Sequence, residues 1–210
     1  MDALSITKIQ TTKKGRHALF CNGEFLFSID DDTLMEFSVH EGMPLDERQI
    51  QSLRQRTDYQ RAKSKAFELL SSRAHSKKEL TDKLTARYDG FTAESVVLEI
   101  GQMGYLDDEG YAKDCVDYVI SSRLMSCKAA LRYLTEKGID RLTAENALEG
   151  YSAGDGERLK LIIKKRYAEK ILHSEGRRQT FAALARLGFS LEDIKETLAI
   201  FDDALTDGEI

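Results

Sequence analysis

Apolar positions recur with a period of 50 residues through the second and third thirds of the chain. Leu84, Leu134 and Leu184 lie 50 positions apart. The same period relates three small residues that each precede basic residues: Ser76, Ser126 and Gly176. A fixed period of this length is typical of a tandem helical array, in which each unit buries its apolar face against its neighbours. Such arrays expose long surfaces, which favours binding of an extended partner over catalysis.

Each unit is predicted to contain three helices. In the first unit, Ser76 and Glu79 form a capping-box pattern that opens helix two. Gly90-Phe91 is predicted to end that helix, with a left-handed glycine and an apolar residue that packs back. Gly104-Tyr105 ends helix three. The corresponding ends of helix two in the later units are Gly138-Ile139 and Gly188-Phe189.

The first 45 residues follow a different pattern, with short apolar runs separated by turn residues. Asn22-Gly23 lies between two such runs and predicts a type I′ hairpin within a set of three short strands. Asp31 to Phe37 is compatible with a short helix or an extended segment. Asp46 is predicted to cap a long helix from Glu47 to Arg73, and a break near Asp58 is left open.

These patterns predict a mainly α fold: three tandem three-helix repeats in an elongated array, preceded by a small N-terminal β-hairpin or strand segment. The strand-rich extension covers 1–45, and the repeats cover 46–105, 106–153 and 154–210, the last with an acidic tail. Ser152-Ala153-Gly154-Asp155-Gly156 has the composition of a flexible linker, so we predict a hinge there.

The charge is unevenly distributed along the chain. The formal net charge of -5 argues against nucleic acid, but the acids concentrate in Asp30–Glu47 and Glu192–Glu209. The first of these segments contains no lysine or arginine, and the second contains only Lys195. The sequence between them is basic, and its distribution decides more about partners than the net charge does.

Composition and motifs exclude several classes of protein. No apolar run approaches the length of a membrane span, and Met1–Ser5 lacks the features of a signal peptide, so we expect a cytoplasmic protein. The histidines are scattered, and no nucleophile, phosphate-binding or metal-ligand motif is present, so we expect neither an enzyme nor a cofactor. Asp107-Asp108-Glu109 fits a helix N-terminus better than a metal site. The three cysteines are expected to be reduced.

Basic residues cluster where helix one meets helix two in each unit. These candidate binding residues are Arg73, Lys77 and Lys78 in unit one, Arg123, Lys128 and Arg132 in unit two, and Lys164, Lys165, Arg166, Arg177 and Arg178 in unit three. Stacked units would align them in a stripe that suits a polyanion or an acidic protein groove. A solvated helix face is the alternative. Acids on the third helices, such as Glu94 and Glu145, disfavour sequence-specific duplex recognition by a helix-turn-helix mode.

Several segments resemble the RecX family of recombinase regulators. Ala66–Arg73 followed by Ser76–Leu80 resembles the first-repeat signature of that family, and Gly104–Ala112 is similar to its most specific motif. Leu131–Ile139 looks like the second-repeat motif, and the N-terminal strands look like the extension of longer members. The chain departs from the family at Ala74-His75, where Arg-Pro is usual, and at Leu124–Ser126, where a glycine-rich basic turn is common.

The resemblance implies a function that the composition does not. RecX proteins bind the RecA filament on single-stranded DNA, lie in its helical groove, and block filament growth, ATP hydrolysis and strand exchange, in DNA repair, recombination and the SOS response. We therefore expect a monomer whose partners are the RecA filament and, directly or through it, single-stranded DNA. Asp202 and Asp203 of the acidic tail could meet basic patches on the filament or keep the protein off bulk DNA. A general DNA-binding protein and a protein-interaction scaffold remain the alternatives.

Overall fold

The computed structural model describes the backbone of residues 4–151 and 154–206 and the side chains of those ranges up to residue 201. The fold is mostly helical and begins with a small β-sheet, as the sequence predicts. The chain divides into two compact units, Met1–Leu106 and Asp107–Ile210. Among the described residues, no helix has the length and apolar character needed to cross a membrane. The repeat boundaries given above stay predictions.

Four antiparallel strands form the N-terminal sheet, in the order β3-β2-β1-β4. They are β1 (Leu4–Thr11), β2 (His17–Cys21), β3 (Glu24–Ile29) and β4 (Pro44–Leu45). Asn22 and Gly23 both have positive φ, 52° and 83°, which confirms the predicted hairpin. The two-residue strand β4 was not predicted, because a run that short carries no alternating pattern.

The ambiguous segment between β3 and β4 is helix α1 (Asp31–Glu36), and a long helix, α2 (Glu47–Ser72), follows β4. The predicted cap is confirmed: the Asp46 carboxylate accepts from the Gln49 amide at 2.7 Å, and the Gln49 side chain accepts from the Asp46 amide at 2.9 Å. Helix α2 is continuous through Asp58, so no break occurs there. Its first half packs on the sheet through Leu53.

Repeat one consists of the second half of α2 with α3 (Lys77–Thr85) and α4 (Gly90–Gln102). Its core contains Ala66, Leu80, Leu84 and Ile100, all fully buried. A polar brace joins α2 to α4, because the Glu99 carboxylate accepts hydrogen bonds from the Tyr59 hydroxyl and, at 2.9 Å, from the Lys63 ammonium.

The predicted role of Gly90-Phe91 is wrong. The Asp89 carboxylate accepts from the Thr92 amide at 3.0 Å and caps α4, so Gly90 is the first residue of that helix rather than the end of α3. Phe91 is 82% exposed and does not pack back. Asp89 instead matches Asp140, the cap of the corresponding helix in repeat two. The repeats are displaced in the sequence comparison because repeat one has no left-handed glycine in this loop, and Asp89 follows Leu84 by five residues whereas Asp140 follows Leu134 by six.

The second unit contains repeats two and three. Repeat two comprises α5 (Asp108–Asp117) with its π-helical extension Tyr118–Ser122, α6 (Cys127–Glu136) and α7 (Arg141–Ala147). Repeat three comprises α8 (Asp155–Ile162) with its π-helical extension Ile163–Tyr167, a 3-10 turn (Lys170–Leu172), α9 (Ser174–Arg186) and α10 (Leu191–Thr206). Leu84, Leu134 and Leu184 are all fully buried, so the period of 50 residues marks equivalent core positions.

Gly138 and Gly188 have the predicted left-handed conformation, with φ of 83° and 90°. The residues that follow them, Ile139 and Phe189, are buried as predicted. Gly176 does not open its helix, since α9 begins two residues earlier, at Ser174. A Cβ atom at Gly176 would overlap the backbone carbonyl of Lys170, so the glycine permits close backbone contact.

Repeats two and three are joined by direct contacts. The Ser126 amide donates to the Leu187 carbonyl at 2.9 Å, and the Cys127 amide donates to the Asp155 carboxylate at 3.1 Å. Leu124 packs against the core of repeat three. Asp155 and Gly156 are helical, so the predicted linker is not supported at these positions. Ser152 and Ala153 of the predicted hinge lie outside the described residues.

The contact at Gly188 gives a stability prediction. A Cβ atom there would overlap the Ala129 side chain and approach Ser126 Oγ to 2.8 Å, and φ is positive. We expect Gly188→Ala to lower the free energy of unfolding by about 3 kcal/mol, combining left-handed strain with overpacking. Gly104→Ala is the matched control: its φ is 81° but nothing lies within 4 Å, so only about 1 kcal/mol is expected. Urea unfolding followed by circular dichroism measures both, and equal losses would contradict the contact.

The brace at Glu99 gives a pH prediction. Hydrogen bonds from Tyr59 and Lys63 lower the pKa of Glu99, so the stability it contributes is present above the ordinary carboxyl pKa and is lost as pH falls through the lowered value. Burial and the bond to Glu99 raise the pKa of Tyr59 to about 12. Tyr59→Phe should cost about 1 kcal/mol near neutral pH and progressively less in acid.

Urea unfolding at a series of pH values measures this difference between the protein and its Tyr59→Phe variant. Tyr118→Phe is the control, because Tyr118 is 54% exposed and its hydroxyl has no hydrogen bond among the described residues. A Tyr59→Phe cost that stays constant down to acid unfolding would show that the Glu99 bond is not its source.

Candidate functional site

The segment that links α2 to α3 forms the first cationic junction, which carries Arg73, Lys77 and Lys78. Arg73 is extended after the end of α2, and the Ser76 hydroxyl accepts from the Glu79 amide at 3.1 Å to cap α3. Between them, the His75 ring lies 2.9 Å from the Arg73 carbonyl and is buried. Burial lowers the pKa of His75, which favours the neutral ring. The junction is therefore held by a buried neutral side chain.

Arg73 and Lys78 at this junction are paired with nearby acids. The Arg73 guanidinium lies 3.0 Å from the Glu79 carboxylate, which is 13% exposed, and Lys78 pairs with Asp82 at 2.5 Å one helical turn away. Lys77 is exposed and lies beside Gly101 of α4. Arg73 thus stabilises the junction itself, and part of the positive charge predicted here is neutralised locally.

The second junction, between the π-helical extension of α5 and α6, carries cations with no such neighbours. Arg123 and Lys128 are exposed, and neither lies within ion-pair distance of a carboxylate in the part of the chain that the structure describes. Leu124 has a φ of 57°, which is unfavourable for a non-glycine residue. Its packing against repeat three offsets this cost. Arg132 lies one turn further along and pairs weakly with Glu136 at 3.7 Å.

The third set of cations divides into two groups. Lys164, Lys165 and Arg166 lie on the π-helical extension of α8, are exposed, and have no carboxylate within ion-pair distance among the described side chains. The second group lies on α9. Arg177 is half-buried and donates to the Leu198 carbonyl at 3.4 Å, while Arg178 lies 3.7 Å from Glu175 with both side chains largely exposed.

The eleven predicted residues therefore differ in what they can offer a partner. Arg73, Lys77 and Lys78 belong to the first compact unit, and the other eight belong to the second. A single stripe that runs through all three repeats stays a prediction. The cations without a described acidic partner are Arg123, Lys128, Lys164, Lys165 and Arg166, and these five are the strongest candidates for contact with an anionic partner.

The acidic motif and the cysteines have structural explanations. The Asp107 carboxylate accepts from the Gly110 amide at 2.9 Å, which confirms the helix N-terminus interpretation. Cys21 is buried, whereas Cys115 is only partly buried against the core of repeat two. Within the described ranges, no group of three His, Cys, Asp or Glu residues has the arrangement of a metal site.

The tyrosines mostly pack against the repeat cores. Tyr111 is buried in repeat two, and the partly buried members are Tyr59, Tyr88, Tyr133, Tyr151 and Tyr167. Tyr105 and Tyr118 are exceptions, with 60% and 54% of their surface exposed. Tyr105 still has an edge contact with Phe67, at 5.2 Å between ring centroids.

One cation was missed by the sequence reasoning. In the sequence Lys195 is an isolated base in the acidic C-terminal segment, but in the structure it lines a groove of about 330 Å³ with Arg177 and Arg178. Aligning helix three of repeat three with that of repeat one places Lys195 at the position of Glu94. This alignment identifies Lys195 as a candidate from the sequence alone, but it is missed when Gly90 is taken as the end of α3.

Comparison with known proteins gives consistent matches. A family model described as "RecX, first three-helix domain" matches residues 62–98. The "Regulatory protein RecX" of Bacillus licheniformis is 33% identical, over 97% of this chain and 80% of its own. The protein of the same name from Bacillus subtilis is 28% identical, over 92% of this chain and 75% of its own. For the one from Listeria welshimeri, the identity is 28% over 69% of this chain and 54% of its own.

Solved structures share the fold. One described as "Crystal structure of regulatory protein RecX" has a TM-score of 0.67 at 22% identity, covering 91% of this chain and 97% of its own. RecX from Lactobacillus salivarius has a TM-score of 0.57 at 22% identity, covering 69% of this chain and 97% of its own. With the sequence identity to the Bacillus licheniformis protein over almost the entire chain, these matches establish that the chain belongs to the RecX family of regulatory proteins.

Proposed function

We propose that this protein is a negative regulator of the RecA recombinase. It binds the RecA filament on single-stranded DNA, lies in the filament groove, and inhibits filament growth, ATP hydrolysis and strand exchange without being an enzyme. Family membership is the observation that carries this proposal. The exposed cations that follow helix one in repeats two and three support it, since a nucleoprotein filament is a polyanion.

The charge distribution also bears on how such a protein would choose its partner. A chain with a net charge of -5 gains little from general attraction to DNA, so its cations must act where the partner brings phosphates or carboxylates close. Arg123, Lys128 and the Lys164–Arg166 segment are exposed and can form such short-range contacts. Binding then shifts the recombinase away from the conformation that adds monomers and hydrolyses ATP.

The two alternative functions predict different dependences on DNA and on the recombinase. A general DNA-binding protein binds single strands tightly in the absence of recombinase, with a steep dependence on salt. A protein-interaction scaffold shows no dependence on DNA. The clustering of exposed cations favours the first over the second.

ATP hydrolysis by RecA on saturating single-stranded DNA tests the proposal. We expect a strong fall in the rate when this protein is added well below the concentration of recombinase, because one molecule in the groove affects several RecA subunits. A fall that occurs only when the DNA itself is titrated supports the DNA-binding alternative. No effect at any ratio contradicts regulation of RecA.

Arg123 and Lys128 provide the matching variant. The double substitution to Ala should raise the concentration needed for half inhibition by about tenfold and reduce the slope of log affinity against log salt by about 2, if each cation meets one phosphate. Arg132→Ala is the control, because Arg132 is exposed and pairs within its own helix. Equal inhibition by the double variant and the unmodified protein would remove these two residues from the site.

A further inference from the structure

The groove between α9 and α10 combines an apolar floor with basic edges. Leu198 is buried and Phe181 is partly buried along the floor, while Arg177, Arg178 and Lys195 line the edges. The Arg177 guanidinium is fixed at one edge by its hydrogen bond to the Leu198 carbonyl. Because a phosphate backbone gains nothing from apolar contacts, this floor suits an amphipathic peptide better than a nucleic acid.

Repeat one has a groove at the corresponding place, between α3 and α4. Its lining includes Lys77, Thr81 and Glu94. Arg177 and Phe181 lie 100 positions, or two repeat periods, after Lys77 and Thr81, and Lys195 takes the place of Glu94. Repeat three therefore has a basic residue where repeat one has an acid, and a larger apolar side chain where repeat one has a threonine.

In repeat two, the place that corresponds to Arg177 of the groove is covered by another segment of the chain. Cys127 lies 50 residues before Arg177 and is covered by the start of α8. The Asp155 carboxylate, in the first turn of α8, accepts from the Cys127 amide at 3.1 Å, and the Arg158 guanidinium lies 3.2 Å from Cys127 Sγ. In this chain the occupant is thus the first turn of a helix that presents a carboxylate.

We propose that the α9–α10 groove binds a partner's acidic amphipathic helix, with apolar side chains on Phe181 and Leu198 and carboxylates on the basic edges. The backbone amide of Arg177 is already bonded to the His173 carbonyl at 2.9 Å. The side chains of Arg177, Arg178 and Lys195 would therefore bind a carboxylate in this groove, as the backbone amide does at Cys127. Naming RecA as the source of the helix rests on the proposed function, whereas the recognition of an acidic helix does not.

Binding of a synthetic peptide to the full chain tests the groove. The probe is a fluorescein-labelled helix of glutamate and leucine with the leucines on one face, and its control has glutamine in place of glutamate. We expect the glutamate peptide to bind, the glutamine peptide to bind at least tenfold more weakly, and Lys195→Glu to weaken the glutamate peptide by about tenfold. Lys195 is exposed, and repeat one has a glutamate at the equivalent position, so this variant should fold.

Lys160→Glu is the matched control, because it makes the same charge change at a half-exposed side chain of α8, away from the groove. Its peptide affinity should equal that of the unmodified protein. Absence of peptide binding, equal binding of the two peptides, or equal losses in the two variants would overturn the proposal. So would an oligothymidylate that displaces the peptide and loses affinity by the same factor in Lys195→Glu, because the groove would then be a nucleic-acid site.

The RecA reaction separates this proposal from the proposed function. If Lys195→Glu loses both peptide binding and inhibition of RecA while its affinity for oligothymidylate is unchanged, the acidic helix belongs to the recombinase. If it loses peptide binding and still inhibits fully, the groove is supported with a different partner. If the unmodified protein binds the peptide and never inhibits RecA, the groove is supported and the proposed function alone fails.

Discussion

The close contact of Gly188 with the start of α6 determines how repeats two and three meet. Gly188 leaves no room for a side chain beside Ala129 and Ser126, and the adjacent Leu187 carbonyl accepts the Ser126 amide. Asp155 then binds the next amide, at Cys127. Since α6, α8 and the α9–α10 loop all converge there, this contact fixes the end of the second cationic junction against repeat three.

The charge on the repeats serves two purposes. Arg73 pairs with the poorly exposed Glu79 and so stabilises the first junction. Arg177 links α9 to α10 through its hydrogen bond to the Leu198 carbonyl. Arg123 and Lys128 have no comparable task within the described structure. Cations that are not needed for folding can contact a partner without loss of stability, which is why the second unit is the better candidate for the binding surface.

Much of the fold follows directly from the sequence. The leucine period located equivalent buried positions in all three repeats, and Asn22-Gly23, Asp46 and Gly188 each specify a local conformation through their own backbone or side-chain chemistry. The predictions at Gly90 and Gly176 were wrong because a glycine tolerates both a left-handed helix end and close backbone contact. Only the neighbouring elements decide between these roles. The composition of Gly154-Asp155-Gly156 predicts a flexible linker, because the sequence does not show that the Asp155 carboxylate accepts a hydrogen bond from the Cys127 amide.

The candidate site was harder to predict than the fold. All eleven cations could be listed from the sequence, but whether a cation pairs with a neighbouring acid depends on side-chain geometry that the sequence does not specify. Lys78 and Asp82 are one turn apart and could be paired in advance. The placement of Arg177 against Leu198, and of Lys195 beside both arginines, depends on how α9 packs on α10.

We propose that the cations of repeats two and three without a described acidic partner contact the RecA filament. Lysine acetylation followed by mass spectrometry, on the free protein and on the protein bound to RecA on single-stranded DNA, tests this directly. We expect Lys128, Lys164 and Lys165 to lose reactivity on the filament, while Lys13 and Lys14 of the first hairpin keep theirs. Unchanged reactivity of the first three on a saturated filament would contradict it.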